Sequence, residues 1–269
     1  MGEVSYLPLI EQMVWSYSRL GTFKDCPYRF FLRHISKIKE EDKFYASYGS
    51  FIHSLIERYY NGELPKEKLQ SEFLVGFSKE VKGKRPKKAL VEKYIKNGAE
   101  YFKNFKPFPY KTVGIEKKVM FRLGDYDFIG YIDYLGEDED GELVIIDNKS
   151  RDLKPRSNRA KPTKSDQLID SMLKQLYLYA GAVKQEYGKF PKKLCFNCFK
   201  AGTFIEEDFN IEAYEAAVEW ALKTIEEIKE EEDFLPNPEY FGCVNICGVN
   251  RECIYYEEML KEMRRNWKK

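Results

Sequence analysis

No run of 18 or more apolar residues occurs in this 269-residue sequence, which excludes a membrane-spanning helix. The opening stretch "MGEVSYLPLIEQ" lacks the basic-then-apolar order of a secretory signal. The expectation is a soluble protein of the cytoplasm with no membrane partner. Neither sign of charge dominates: 45 Lys and Arg against 44 Asp and Glu leave +1, so overall charge advertises no nucleic-acid partner. No GxxxxGK[ST] occurs, which excludes a P-loop motor on this chain. Internal repeats and low-complexity linkers are absent as well. With 43% hydrophobic residues the chain can bury one large core or two modest ones, and a single domain over 1–269 is expected.

What the chain has is an acid and a base at the end of an apolar strand. "LVIIDNKS" reads as a short β-branched strand bounded by turn-formers. Strand side chains return to the same face every second residue, so Asp147 and Lys149 project together. Burying such a pair is expensive unless it does something. Fourteen residues earlier, "FIGYIDYL" delivers Asp133 from another apolar strand. Two carboxylates converging with a lysine are what metal-assisted phosphodiester hydrolysis requires. A buried Asp–Lys pair serving structure alone is the alternative. Basic residues are also concentrated locally, with seven Lys or Arg against one Asp from Lys149 to Lys164. That segment reads as a phosphate-binding surface, with Arg151, Lys154, Arg156 and Arg159 as the phosphate contacts, or else as a solvated loop. The second basic block, Lys82–Lys88, reads as solvated.

The six cysteines separate into two groups. Cys243, Cys247 and Cys253 fall in "FGCVNICGVNREC", a loop-like stretch past Pro236 and Pro238. Disulfides are disfavoured inside cells, so loop cysteines at this spacing suggest metal or cluster ligation. Cys195 and Cys198 lie in "KKLCFNCFK", which alternates like a strand; three apart, they face opposite ways and read as core residues. That leaves Cys26, in "FKDCPYRFFL", as the fourth ligand.

The first third reads as helical, with Pro27 tolerable only at a helix start or a break. "ASYGSFIHSLIERYYNG" is an amphipathic helix stopped by Asn61-Gly62, and further helices are expected around Lys66–Val81 and Lys87–Phe105. Three strands follow, near Thr112–Arg122, Tyr126–Leu135 and Leu143–Lys149, with short Gly/Asp turns that predict an antiparallel meander. A long helix over about Asp166–Tyr187, strands at Leu194–Lys200 and Thr203–Phe209, a helix from Ile211, the cysteine loop and a short basic helix complete the chain. The class is α/β.

That order and its residues resemble the PD-(D/E)XK nuclease superfamily, most closely its RecB-like branch with an iron–sulfur cluster. The branch includes nuclease domains of helicase–nuclease complexes, CRISPR-associated nucleases and stand-alone phage exonucleases. "GSFIHSLIE" resembles its GxxxH motif through Gly49 and His53, and "GYID" resembles GxxD through Asp133. "DNK" resembles (D/E)xK through Asp147 and Lys149, and "QLYLY" resembles QxxxY through Gln175 and Tyr179. "YSRLGTFKDCPYRFF" resembles the opening helix with its first cluster cysteine, and Cys243, Cys247 and Cys253 resemble the remaining ligands. Any one motif is weak; six in order are strong together. The chain departs from the usual CxxC in that three residues separate Cys243 from Cys247.

The resemblance implies a restriction-endonuclease-like αβββαβ core with an N-terminal helical elaboration, a helical insertion at about 62–107, and a C-terminal Fe–S cluster loop at 243–253 stapled to Cys26. It implies Asp133, Asp147, the carbonyl of Asn148 and His53 as ligands of Mg²⁺ or Mn²⁺, with Lys149 activating water and Gln175 and Tyr179 beside it. Glu116, on the first strand, reads either as a further ligand or as part of a solvated strand face. His53 taken alone would read as a packed core histidine. The cluster would be structural: [4Fe–4S] suits the four thiolates, zinc could occupy the same ligands, and closing so long a loop stabilises by about 4–5 kcal/mol in a chain-entropy account. The expected function is a metal-dependent DNA nuclease, an exonuclease able to act on single strands or duplex ends, in repair, recombination or mobile-element DNA processing. Recombination, helicase, CRISPR or phage replication proteins are the expected partners. The alternatives are a non-catalytic DNA-binding or assembly subunit, against which the intact Asp133, Asp147 and Lys149 argue, and an electron-transfer protein, which would leave that set idle.

Overall fold

Apolar residues recurring at helical spacing shape the N-terminal third. In the computed structural model, which describes residues 5–151, 153–157 and 159–266 (side chains of the last helix through Glu262), this part opens with a short helix α1 (Leu7–Glu11) that the sequence does not signal. Helix α2 (Tyr17–Asp25) is capped by Ser16, whose hydroxyl accepts from Arg19 N. It stops at Cys26, which is extended, and Pro27 starts α3 (Pro27–Phe30) as its first residue before a π-helical turn at Phe31–Ile35. The break predicted at Pro27 is therefore a real one. Helices α4 (Phe44–Tyr60), α5 (Leu69–Glu80) and α6 (Lys88–Lys103) follow, with a 3₁₀ turn at Lys66–Lys68.

The sheet comprises β1 (Lys111–Leu123), β2 (Tyr126–Glu137), β3 (Leu143–Asn148), then, after α7 (Lys164–Tyr187), β4 (Lys193–Cys198) and β5 (Thr203–Asp208). Spatial order follows sequence order. The first three strands form the predicted antiparallel meander, α7 is the crossover that makes β3 and β4 parallel, and β5 returns antiparallel. This is the expected αβββαβ order with one strand added. Helix α8 (Ile211–Glu230) packs with α7, and the chain ends through a π-helical turn at Gly242–Ile246, a 3₁₀ turn at Asn250–Glu252 and α9 (Tyr256–Asn266). Among the described residues no helix is long and apolar enough to cross a membrane.

Strand alternation sends Leu135, Ile145, Leu194, Phe196 and Cys198 into one core with α2, α7 and α8. It sends Tyr134, Val144, Ile146 and Cys195 to the opposite face, against Tyr60, Phe108 and Tyr110. Cys195 and Cys198 are thus buried on opposite sides of the sheet, as their spacing predicts. The aromatics concentrate in a second core, where Phe44, Tyr48, Phe51, Phe73, Phe77, Tyr94 and Phe102 hold α4, α5 and α6 together. Those two later helices occupy the stretch 62–107 marked out from the sequence as a helical insertion.

Candidate active site

Where β2 and β3 stop pairing, the polar residues begin. The last paired residues are Tyr134 and Ile146, so Asp133 and Asp147 are the next positions in register, on strands whose ladder has opened. Asn148 explains the opening. Its N–H donates across the strand ends to Asp133 Oδ2 (2.7 Å), and its carbonyl accepts from His53 Nε2 (2.8 Å). Backbone groups that would continue the ladder serve two side chains instead.

His53 reaches this point from α4. Its Nδ1 lies 3.4 Å from Asp133 Oδ2 and 3.7 Å from Glu116 Oε1. Glu116 stands opposite Asp133 in the β1–β2 register with φ of +43°, in left-handed backbone that a branched or bulky side chain rarely adopts. The strained backbone delivers its carboxylate to the cluster. Among the described residues His53, Glu116 and Asp133 are the trio whose potential ligand atoms all lie within 4.8 Å of one another. Burial pulls the His53 imidazole down, but the hydrogen-bonded Glu116 and the charges of Asp133 and Asp147 outweigh it and push it up to about 9. Burial and then the Asp147 carboxylate push Asp133 up to about 7, against the pull of His53 and the Asn148 N–H. The site therefore holds protons at neutral pH that a cation would displace.

Asp147 is 4% exposed. Its Oδ2 lies 2.7 Å from Lys149 Nζ, close enough for an ion pair but outside hydrogen-bonding geometry, so this buried oxygen accepts no hydrogen bond. Lys149 Nζ donates to Gln175 Oε1 (2.9 Å), and Gln175 Nε2 to the Tyr179 hydroxyl (3.2 Å). Gln175 and Tyr179 sit one turn apart on α7, so the helix presents both to the strand end. Burial pushes the Tyr179 phenol up to about 12, leaving it neutral. The glycine of "GYID" is needed here: a Cβ on Gly130 would stand 2.4 Å from Tyr179 Cε1. Gly49 has ordinary room, and nothing in the structure explains it. The second histidine, His34, is pushed down to about 3 by burial and by Arg19, Arg33, Lys37 and Arg29, and stays neutral beside Phe30.

Two residues had escaped the sequence reading. Tyr17, on α2, donates to Ser171 O (3.1 Å), and its phenol is pushed up to about 12 by burial and then by Asp147. Asn197, on β4, donates through Nδ2 to Asn148 Oδ1 (2.7 Å) and to the Tyr101 hydroxyl (2.8 Å). Its signal was legible: it is the lone polar residue inside "LCFNCF", and a buried amide needs partners.

The basic segment after Lys149 divides. Arg151, Lys154 and Arg159 are exposed. Arg151 opens on a groove of about 600 Å³ shared with Lys24, Arg29, Tyr45 and Phe241. Arg156 differs: its guanidinium is 2.8 Å from Glu207 and 2.7 Å from Asp170, which ties the segment to β5 and α7. As a phosphate contact it would have to surrender both carboxylates.

Cys26, Cys243, Cys247 and Cys253, all unbridged, line one small cavity with Tyr28, Tyr255 and Tyr256. Burial pushes the thiols of Cys243, Cys247 and Cys253 up, and the neighbouring sulfurs act in the same direction; Arg29 and Lys43 pull Cys247 back. Asn250 closes the loop by donating to Cys243 O (2.9 Å) while accepting from Lys43 Nζ (3.0 Å).

A profile of the PD-(D/E)XK nuclease superfamily matches residues 14–254. The chain belongs to that superfamily. The matched span takes in the His53–Glu116–Asp133 trio, the Asp147–Lys149–Gln175–Tyr179 series and the four cavity cysteines. Such a protein is a nuclease of a metal-dependent class, and DNA is what it binds. Among solved structures, a candidate exonuclease from Eubacterium rectale aligns over 88% of this chain and 90% of its own at 15% identity and a TM-score of 0.48. The protein SSO0001 aligns over 88% and 85% at 14% identity and a TM-score of 0.35. No curated protein matches the sequence.

Proposed function

We propose that this PD-(D/E)XK nuclease is a Mg²⁺- or Mn²⁺-dependent exodeoxyribonuclease. It would act on single strands or duplex ends in repair, recombination or the processing of phage and other mobile-element DNA. The observation that carries the metal-dependent chemistry is the meeting of the His53–Glu116–Asp133 trio with a buried Asp147 oxygen that accepts no hydrogen bond. Lys149 Nζ, 2.7 Å away, offsets part of the cost of burying that charge, and the oxygen's free lone pairs are what a divalent cation would take. His53, Glu116, Asp133 and Asp147, with the Asn148 carbonyl, would hold the ion. When bound, a divalent cation supplies charge to a phosphoryl oxygen and lowers the pKa of a coordinated water. Lys149, steadied between Asp147 and Gln175, would orient the attacking water and stabilise negative charge developing on the phosphate. Tyr179 fixes the Gln175 amide so that its oxygen faces the lysine. Exonuclease action and single-strand use follow from the motif resemblance, and the groove beside Arg151, lined in part by Lys24, Arg29, Tyr45 and Phe241, offers basic and aromatic side chains to a strand.

The four cysteines would hold a structural [4Fe–4S] cluster. All four line one cavity. The motif resemblance favours iron–sulfur, and zinc could occupy the same four thiolates.

Digestion of 5′- and 3′-labelled single- and double-stranded DNA with Mn²⁺, with and without EDTA, tests the activity. Release of nucleotides from one end, abolished by EDTA, is expected. Metal-independent cleavage overturns the reading, and DNA binding without cleavage would leave a non-catalytic DNA-binding subunit.

A further inference from the structure

We infer that Asn197 is a positioning residue: from β4 it sets the plane of the Asn148–Lys149 peptide and so aims the Asn148 carbonyl into the metal site. The inference rests on the metal-dependent reading of that site.

The parallel ladder places Asn148 and Asn197 side by side on the face of the sheet opposite to Asp147 and Lys149. A trans peptide is planar, with its C=O and N–H pointing opposite ways. In the Asn148–Lys149 unit the carbonyl accepts from His53 Nε2 (2.8 Å), while the Lys149 N–H donates to the main-chain carbonyl of Asn197 (2.8 Å). One end of the unit thus faces the ligand trio and the other is tied to Asn197. The Asn148 N–H has left the ladder, and β2 holds it only through the Asp133 side chain. The Asn148 side chain is held separately, by the Asn197 amide.

Both amide protons of Asn197 are used, one on Asn148 Oδ1 (2.7 Å) and one on the Tyr101 hydroxyl (2.8 Å). Asn148 and Asn197 are buried, which makes each unmade bond costly and the arrangement stiff. Tyr101 belongs to α6, so the helical layer reaches the strand end through this chain of hydrogen bonds. Groups standing behind metal ligands in this way change metal affinity or activity by about 10–100-fold when removed.

The test is Mn²⁺ binding to the full-length, DNA-free protein by titration calorimetry, counting the binding that Asp133→Ala abolishes. Asn197→Ala should weaken that binding about 10-fold. It should leave KM for DNA unchanged and lower kcat at limiting Mn²⁺, with recovery at saturating Mn²⁺. Tyr101→Phe, which keeps the ring, should shift Mn²⁺ affinity in the same direction by less, and it reads the network if Asn197→Ala fails to fold. In an Asn148→Ala background, which retains the carbonyl, Asn197→Ala should add nothing. Unchanged Mn²⁺ affinity with lowered Tm and weaker DNA binding would show a merely structural role and overturn the inference. Absence of Asp133-dependent Mn²⁺ binding in the wild-type protein removes the metal reading itself, a failure visible before any variant at position 197 is made.

Discussion

Tyr179 packs against the bare α-carbon of Gly130, so closely that a Cβ there would stand 2.4 Å from its ring. The first residue of one motif thereby seats the last residue of another, and the series Tyr179–Gln175–Lys149 is lined up from β2 as well as from α7. Gly130→Ala should displace Tyr179, cost about 1–3 kcal/mol by overpacking, and lower kcat with little change in DNA affinity. Thermal melts and steady-state kinetics measure this. Restoration of stability but not of turnover in Gly130→Ala/Tyr179→Ala would assign the catalytic loss to the missing phenol.

Asp133→Ala, Asp147→Ala and Lys149→Ala should each abolish cleavage while leaving a cooperative unfolding transition. The first two remove carboxylates from the proposed metal site, and the third removes the cation that stands between Asp147 and Gln175. Wild-type turnover in purified Asp147→Ala would sink the site assignment.

The raised pKa values of His53 and Asp133 give a pH dependence with a definite sign. For both groups the folded state binds the proton more tightly than the unfolded chain does. Asp133 holds a proton from its ordinary carboxyl range up to about 7, and His53 from about 6.5 up to about 9. Stability without metal should therefore fall as pH rises across that window, since the native state binds the extra protons. A cation competes for the same atoms, so Mn²⁺ affinity should rise between pH 6 and 9 as the protons leave, with roughly one to two released per ion near neutrality. Melting in EDTA against pH, and calorimetry in buffers of different ionisation enthalpy, check the two signs. A pH-independent Mn²⁺ affinity would contradict this account.

Protein purified without oxygen should be brown, with broad visible absorption from an iron–sulfur cluster. Cys26→Ala, Cys247→Ala and Cys253→Ala should lose the colour and lower Tm, because the thiol cavity joins Cys26 at the start of α3 to the C-terminal loop. Cys195→Ala and Cys198→Ala should keep it, since those thiols are buried on opposite faces of the sheet. Stoichiometric zinc without iron would overturn the cluster identity.

The carboxylate–lysine set was legible because it interrupts apolar strands: an acid at the end of "LVII" or inside "FIGYIDYL" stands out against a period of two. The helix order was legible for the same reason at a longer period. Glu116 was harder, because its approach depends on a left-handed backbone in the middle of a strand, which no local pattern announces. Arg156 was legible only in part, for a different reason. Its basic neighbours suggest phosphate, whereas its partners Glu207 and Asp170 come from elements that only the folded chain brings near. Asn197 shows a middle case, where a polar residue in an apolar strand announces that it has partners but not which ones.

The exposed arginines and lysine after β3 lead to the last prediction. Arg151, Lys154 and Arg159 carry charges that the solvent reaches, and Arg151 shares its groove with Lys24 and Arg29. If these three meet phosphates, each contact releases condensed counterions and contributes about −0.7 to the slope of log K against log salt on a single strand. The Arg151→Ala/Lys154→Ala/Arg159→Ala variant should therefore flatten that slope by about 2 and weaken all sequences alike, while cleavage at saturating DNA falls much less. Arg156→Ala should behave differently. Its guanidinium is engaged by Glu207 and Asp170, so its loss should loosen the segment and lower Tm with little change in salt slope. Fluorescence anisotropy over a salt series, with melts on the same preparations, separates the two behaviours. An unchanged slope in the triple variant would move the DNA path elsewhere, with Lys84 and Arg85, on the separate groove beside Glu40 and Lys43, the next residues to replace.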